Sequence, residues 1–268
     1  MPLLELPDVT LHYDDTHATL QTPPTGPRAV PDAPPLLLVH GFLLTARVWE
    51  SMTAFLDPGR RVVAADTRGH GRSGAAAYYT LEGMVSDLVG LIDRLGLQRP
   101  VVVGSSLGAM AAIRLAITRP DLLSGAVLIG TPGHAMVAVS GFLEANRDFA
   151  AGLSAGPSDD VASNVASQIP SWFGELGSPA VTAWAVRQAL EAQPGLGAFI
   201  DDLADCDPRP DLPGVTVPLH YVHGRHDPIP LEIVTEEVAL TPGAILTVVD
   251  HAGHMPHVET PGWTAGLL

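Results

Sequence analysis

The stretch RPVVVGSSLGAMAAI, residues 99–113, runs from an apolar segment through two adjacent serines into an alanine-rich segment. The apolar run predicts a buried strand, and the alanine-rich continuation predicts a helix. Between them, Gly104, Ser106 and Gly108 fit the G-x-S-x-G pattern of a sharp strand-to-helix turn that exposes a serine. Glycine is needed on both sides of this turn, because side chains there would collide with neighbouring atoms. This register selects Ser106, rather than Ser105, as a candidate nucleophile.

Similar apolar runs recur along the chain and alternate with amphipathic segments. Short runs without polar interruptions are typical of parallel strands that are buried on both faces. The pattern predicts the α/β fold class, with helices on both faces of the sheet. The predicted strands are LLLVH (36–40), RVVAAD (61–66), VVVG (101–104), VPLHYVHG (217–224) and AILTVVD (244–250), and the predicted helices are 46–56, 81–95 and 107–118.

The chain of 268 residues is 46% hydrophobic and long enough for one large domain with an insertion. Near the start, VTLHYDD (9–15) and ATLQT (18–22) predict two short antiparallel strands, followed by a proline-rich connector. Residues 134–207 are alanine-rich and helix-like, without a convincing buried strand. Apolar runs typical of strands return after them. We therefore expect a core formed by residues 1–133 and 208–268, with 134–207 inserted over one end of the sheet as a small helical lid.

A serine hydroxyl is a weak nucleophile, so Ser106 needs a base and a group that orients the base. Asp227 follows one predicted strand and His254 follows the next, which gives the chain order Ser, Asp, His. In this arrangement, His254 accepts the Ser106 proton and Asp227 holds the imidazole in the required tautomer. Asp205 and Asp207 remain alternative orienting groups.

The same chemistry needs two backbone N–H donors for the oxyanion of a tetrahedral intermediate. Leu107 begins the helix after the candidate nucleophile, where the helix dipole also favours negative charge. LVHGF ends an early strand and offers the Phe42 N–H as the second donor, while His40 and Gly41 shape the turn. Arg68, in DTRGHGRS, and its neighbours His70 and Arg72 are expected to build a loop.

Five motifs, taken together, carry a family resemblance. LVHGF, DTRGHGRS, GSSLG, GRHDPIP and AGHMPHVE, in this order, resemble the α/β-hydrolase superfamily, particularly its small bacterial esterase, lactonase and cofactor-free haloperoxidase-like branch. The resemblance implies a mostly parallel eight-stranded sheet with a cap inserted after the sixth strand. It is weakest in the lid and at ETPGWTAGLL (259–268), which is short for the closing helix of that family.

The residue at the nucleophile position and the positions of the tyrosines also limit which reactions of this family fit the chain. Haloalkane dehalogenases and epoxide hydrolases of the family carry an aspartate at the nucleophile position of the strand-to-helix turn, where this chain has Ser106. Epoxide hydrolases also need tyrosines in the lid, whereas tyrosines 13, 78, 79 and 221 all lie outside it. What remains is acyl transfer to water through an acyl-Ser106 intermediate, on a carboxylic ester, a lactone or a thioester. Two alternatives stay open: a haloperoxidase or perhydrolase-like activity, and a ligand-binding receptor-like hydrolase with slow turnover.

In the lid, Trp172, Phe173 and Trp184 are candidates for lining an acyl pocket. Two sets of histidines recur at intervals of three, His220, His223 and His226, and His251, His254 and His257. Strand residues three apart point to opposite faces, so we expect no metal site there.

Composition excludes other partners and cofactors. A formal net charge of −15, with 14 arginines and no lysine, opposes binding to nucleic acid or to an anionic membrane. The lack of lysine excludes a Schiff base, and Cys206, the single cysteine, cannot form an intramolecular disulfide. The amino terminus lacks the pattern of a secretory signal, and the chain lacks an apolar run of about 18 residues. We therefore expect a cytoplasmic protein that acts on a small molecule without a cofactor.

Overall fold

Eight strands form one sheet in the computed structural model, which describes residues 2–16, 33–154, 159–190 and 196–268. Along the sheet the strands are ordered β1-β2-β4-β3-β5-β6-β7-β8. The strands are β1 (Leu3–Glu5), β2 (Thr10–Asp15), β3 (Leu36–Val39), β4 (Val62–Ala65), β5 (Val101–Ser105), β6 (Gly125–Ile129), β7 (Leu219–Gly224) and β8 (Ile245–Val249).

The sheet is parallel from β4 to β8, and only β1 and β2 run antiparallel to their neighbours. Every residue of β3, β4 and β6 is buried, as expected for strands covered on both faces. The predicted α/β class and the mostly parallel eight-stranded sheet are thus confirmed. Parallel strands end at one edge of a sheet, so the loops after β3, β5, β7 and β8 meet there.

Helices occupy most of the connections between the parallel strands. Helix α2 begins after Thr80, whose side chain accepts the Gly83 N–H at 3.1 Å, and it ends close to the predicted boundary. The helices are α1 (Glu50–Thr53), α2 (Leu81–Arg94), α3 (Leu107–Thr118), α4 (Ala135–Ala138), α5 (Phe142–Ser154), α6 (Asp159–Gln168), α7 (Pro179–Ala189), α8 (Ala198–Asp202), α9 (Leu231–Leu240), α10 (Pro256–Glu259) and α11 (Pro261–Ala265).

The first strands differ from the sequence-based prediction. β2 pairs with β1, a strand that the sequence pattern did not indicate, and with β4. The predicted strand ATLQT (18–22) lies outside the described residues. The helix predicted over 46–56 is a 3₁₀ turn, Ala46–Trp49, followed by the short α1.

Among the described residues, five helices, α4 to α8, lie between β6 and β7. Within residues 134–207, the described part contains helices and 3₁₀ turns and no strand. We call residues 134–207 the inserted segment. Among the described helices, none is long and apolar enough to cross a lipid bilayer.

Candidate active site

Ser106 occupies a strained turn between β5 and α3. Its backbone has φ 52° and ψ −115°, in the region that residues with a side chain rarely adopt. A Cβ atom on Gly104 would overlap the Gly108 backbone, and one on Gly108 would overlap the Val39 carbonyl. The two glycines are therefore required by packing at this turn, and Ser106 is presented to a cavity at the end of the sheet.

His254 and Asp227 lie within hydrogen-bond distance of each other. His254 Nδ1 is 2.9 Å from Asp227 Oδ2 and 3.0 Å from Oδ1, and the Asp227 side chain is fully buried. The Ile229 N–H donates to Asp227 Oδ1 at 2.9 Å and fixes the carboxylate. His254 lines the same cavity as Ser106. The loops after β5, β7 and β8 thus bring the three candidate residues to one edge of the sheet.

The two alternative aspartates lie elsewhere. Asp207 forms a bidentate ion pair with Arg209, with nitrogen–oxygen distances of 2.9 and 2.7 Å. Asp205 lines a different cavity, beside Cys206 and Arg114. Neither is within hydrogen-bond distance of His254 in the described part of the chain, whereas Asp227 is.

The environment of His254 raises its pKa. Burial of the ring is the largest single influence and lowers the pKa, because it disfavours the imidazolium. The charge of Asp227, the hydrogen bond to Asp227 and the charge of Glu259 together outweigh burial and hold the pKa above the ordinary value. An imidazolium at this position is therefore stabilised by its surroundings.

The loop after β3 lies directly against the nucleophile turn. A Cβ atom on Gly41 would approach the Ser106 Cβ to 3.0 Å, so a larger residue there would have to push the two loops apart by a few tenths of an ångström. Phe42 and Leu107 both line the cavity. Within the described part of the chain, neither the Phe42 N–H nor the Leu107 N–H donates to an acceptor. Both donors are thus available to an oxygen atom of a ligand.

His40 controls the orientation of the Gly41–Phe42 peptide. Its Nε2 accepts the Thr67 N–H at 2.9 Å, so the neutral ring carries its proton on Nδ1 and donates to the Gly41 carbonyl at 2.8 Å. In a trans peptide the C=O and N–H point in opposite directions. The bond from His40 to Gly41 therefore turns the Phe42 N–H away from the ring.

His70 holds the next peptide of this loop. Its Nε2 accepts the Leu43 N–H at 3.1 Å, and Leu43 has a φ of 62°. Burial lowers the pKa of His70 to about 3, with a contribution from His40, whose own pKa burial also lowers. Both rings remain neutral near pH 7 and can accept these bonds. The sequence predicts His70 only as part of a loop, and its role depends on the bond to Leu43 in another loop.

Arg68 and Arg72 also lie in this network. The Arg68 guanidinium forms a bidentate ion pair with Asp87, with nitrogen–oxygen distances of 2.8 and 2.9 Å, and it is almost fully buried. The Arg72 N–H donates to Asp66, whose carboxylate also accepts the Ala46 N–H. These contacts join the loop after β4 to its neighbours and place neither arginine in the cavity.

The cavity above Ser106 measures about 230 Å³ and is mostly apolar. Of the three aromatic residues expected to line it, Trp172 does so, and its ring lies 6.3 Å from the His254 ring. Phe173 lines a separate groove, and Trp184 packs, half-buried, against the core. Phe142 and Phe199, which the sequence did not single out, complete the aromatic lining.

The histidines at intervals of three do not converge. His220 Nε2 lies 2.7 Å from Thr247 Oγ1, whereas His223 Nε2 lies 3.1 Å from the Ile229 carbonyl. In the described part of the chain, no three His, Cys, Asp or Glu side chains lie close enough together to hold one metal ion.

Comparison with known proteins gives the same family from sequence and from structure. The chain is 30% identical over 246 residues to the pimeloyl-[acyl-carrier protein] methyl ester esterase of Aromatoleum aromaticum, covering 88% of this chain and 96% of the relative. It is 27% identical to the probable esterase D14L of Oryza sativa, covering 84% and 86%. A thermophilic esterase from Thermogutta terrifontis superposes with a TM-score of 0.82 at 26% identity, covering 100% and 96%.

The sequence also matches the α/β hydrolase fold family over residues 34–261. This range includes Ser106, Asp227 and His254, together with the loops after β3 and β4. Because the match covers most of the chain, the chain belongs to the α/β-hydrolase fold family.

Proposed function

We propose that this protein is a serine hydrolase that cleaves a carboxylic ester or a lactone. The observation that carries the proposal is the pairing of His254 with the buried Asp227, at 2.9 Å, in the cavity that also contains the strained Ser106. A base, its orienting carboxylate and a nucleophile at one cavity are the groups that acyl transfer requires.

In the first step, His254 Nε2 accepts the Ser106 hydroxyl proton while Ser106 Oγ attacks the carbonyl carbon of the substrate. Asp227 keeps the proton of the neutral ring on Nδ1 and stabilises the imidazolium that forms. The carbonyl oxygen becomes an oxyanion and accepts hydrogen bonds from the Phe42 and Leu107 N–H groups. His254 then gives its proton to the leaving alkoxide, which departs as the alcohol and leaves an acyl-Ser106 ester.

In the second step, water attacks the acyl-Ser106 carbonyl and His254 accepts a proton from it. Collapse of the second tetrahedral intermediate breaks the bond to Ser106 Oγ, which takes the proton back from His254. The products are the carboxylic acid and the regenerated serine. With a lactone the two products are one molecule, a hydroxy acid.

The similar proteins support this chemistry. Two are named esterases and a third is named a methyl ester esterase, and each name describes cleavage of an ester bond.

The test is hydrolysis of short and medium p-nitrophenyl esters and of simple lactones by the wild type and by Ser106→Ala. We expect turnover by the wild type and a loss of at least about 10³-fold in the variant. A fluorophosphonate, which reacts with activated serines, should label the wild type and leave Ser106→Ala unlabelled.

Ser105→Ala is the matched control, because the Ser105 hydroxyl is buried without a hydrogen-bond partner in the described part of the chain. It should retain labelling. Labelling that survives in Ser106→Ala but is lost in Ser105→Ala would overturn the assignment of the nucleophile. Turnover that depends on hydrogen peroxide would instead favour a haloperoxidase-like enzyme, and tight binding of a lactone without turnover would favour a receptor-like protein.

A further inference from the structure

The cavity above Ser106 carries no charged side chain among its described lining residues other than the titratable His254. Its walls are apolar, aromatic or uncharged polar. The formal net charge of the whole chain is −15, so this neutrality does not reflect a lack of charged residues elsewhere. The lining therefore offers a substrate no positive partner besides the catalytic base.

The arginines of the inserted segment do not line the cavity. Arg147 follows the lining residue Asn146, but it is exposed and pairs with Asp201 at 2.9 Å. Arg187 is also exposed and lines no part of the cavity. Residues 149–162 and 191–195 contain neither arginine nor lysine. The inserted segment thus brings no cation to the cavity.

The polar groups of the lining are dipoles rather than charges. Asn146 on α5 donates to the Phe142 carbonyl at 2.7 Å, and Ser171 donates to the Gln168 carbonyl at 2.7 Å. Both residues belong to the inserted segment and line the cavity. An amide and a hydroxyl can bond a carbonyl, ether or hydroxyl group of a substrate, but they do not neutralise a carboxylate.

A carboxylate moved from water into such a cavity loses its hydration, and no side chain of the described lining other than His254 can offer it a counter-charge. The negative charge of the whole protein adds long-range repulsion to its approach. Uncharged ligands meet neither penalty. The volume of about 230 Å³ lies below the roughly 300–1,000 Å³ of pockets that hold drug-sized molecules, so the bound part of the ligand is small.

We propose that this site selects small uncharged esters or lactones and rejects substrates whose acyl group ends in a carboxylate. The selection of substrates for turnover rests on the proposed function, whereas the selection of ligands for binding does not. The discriminating feature is the absence of a cation in the described lining, contributed jointly by the strand-end loops and by the inserted segment.

The first experiment compares three p-nitrophenyl esters of matched length: the hexanoate, the adipate half-ester with a free carboxylate, and the methyl ester of that half-ester. We expect kcat/KM for the two uncharged esters to exceed that for the anionic one by about 100-fold or more. The methylated compound separates charge from size. A kcat/KM for the anionic ester within threefold of the methylated one would overturn the proposal.

The second experiment places a cation in the lining. Asn146→Arg should raise kcat/KM for the anionic ester relative to the methylated one by about tenfold. Glu144→Gln is the control, because it changes the net charge by the same amount at an exposed position of the same helix. Ser171→Arg, at the exposed rim of the cavity, is the second variant and should act in the same direction.

The third experiment separates this proposal from the proposed function. Calorimetric titration of Ser106→Ala with dimethyl adipate and with the monomethyl adipate anion measures binding without turnover. We expect the uncharged diester to bind at least tenfold more tightly. Equal affinities, or no binding of either compound, would overturn the charge selection, whereas a clear preference with no turnover by the wild type would overturn only the hydrolase assignment.

Discussion

The backbone N–H of His254 donates to the Trp172 carbonyl at 2.7 Å, so the loop that carries the candidate base is hydrogen-bonded directly to the inserted segment. The Glu175 N–H donates to the His251 carbonyl at 3.1 Å in the same contact. A Cβ atom on Gly174 would come within 2.6 Å of the backbone of residues 251–252. The position of His254 therefore depends on the inserted segment as well as on the sheet.

Glu259 closes this contact from the other side. Its Oε2 accepts the Gly174 N–H at 2.7 Å and its Oε1 accepts the Gly253 N–H at 2.8 Å. One carboxylate thus joins the inserted segment to the loop of the candidate base, and its charge contributes to the raised pKa of His254.

Glu259→Gln should weaken this connection, because an amide group has one acceptor oxygen and cannot accept both N–H bonds. We expect a loss of about 1–3 kcal/mol in the free energy of unfolding, measured by urea denaturation. The pKa of the acid limb of kcat/KM should also move down, because a negative charge near His254 is removed. Glu144→Gln serves as the exposed control, and an unchanged acid limb would show that Glu259 has no electrostatic effect on the base.

Activity and the contribution of His254 to stability should change in opposite directions with pH. The raised pKa means that the folded state holds the His254 proton more tightly than the unfolded chain, whose histidines titrate near 6.5. This stabilisation is complete below pH 6.5 and is lost as the pH rises through the pKa of the folded state. Activity should rise over the same interval, because the neutral ring is the base. The measurement is the pH dependence of kcat/KM beside an NMR titration of His254, and an inflection below pH 6.5 in either would contradict the raised pKa.

His257→Phe should make the protein more resistant to acid. The His257 ring is completely buried, stacks on Trp49 at 4.4 Å and has no hydrogen-bond partner in the described part of the chain. Burial, with a smaller contribution from His254, lowers its pKa to about 3, so folding must keep it neutral as the pH falls from 6.5. Replacing it should recover about 2 kcal/mol of stability at pH 5 relative to pH 7. Denaturation at the two pH values measures this change, and parallel losses in wild type and variant would disprove it.

His40→Ala should lower kcat/KM by about 100-fold with little loss of secondary structure, because the Gly41–Phe42 peptide is no longer held by the bond to the imidazole. His40→Asn, which retains a donor close to the position of Nδ1, should restore part of the activity. His220→Ala, on β7 beside Thr247, is the control. Equal activity of His40→Ala and wild type would show that the peptide does not need this bond.

Motif spacing was enough to select Ser106, Asp227 and His254 as candidates, because each follows a strand of a parallel sheet and all such strands end at one edge. It favoured Asp227, which follows a predicted strand, but it left Asp205 and Asp207 open as alternatives. The choice depends on the partner that each side chain meets: Arg209 occupies Asp207, whereas Asp227 faces the His254 ring.

The aromatic lining shows the limit of sequence patterns more clearly. Trp172 and Phe173 are adjacent in sequence, yet one faces the cavity and the other a separate groove. Phe142 and Phe199 reach the cavity from two different helices, α5 and α8. Which side of a short helix covers the strand ends is decided by packing between elements that lie far apart in sequence.

The sequence by itself determined the class of fold, most of the parallel strands and the register of the Ser106 turn, because hydrophobic periodicity and the steric demand for Gly104 and Gly108 are local properties. Only the tertiary structure decided which aspartate meets His254, how His40 turns the Phe42 N–H, and that Glu259 joins the inserted segment to the loop of the base. Hydrogen bonds and burial act between atoms that lie within a few ångströms of each other. Residues far apart in sequence, such as Gly174 and Glu259, come this close together only when the chain has folded.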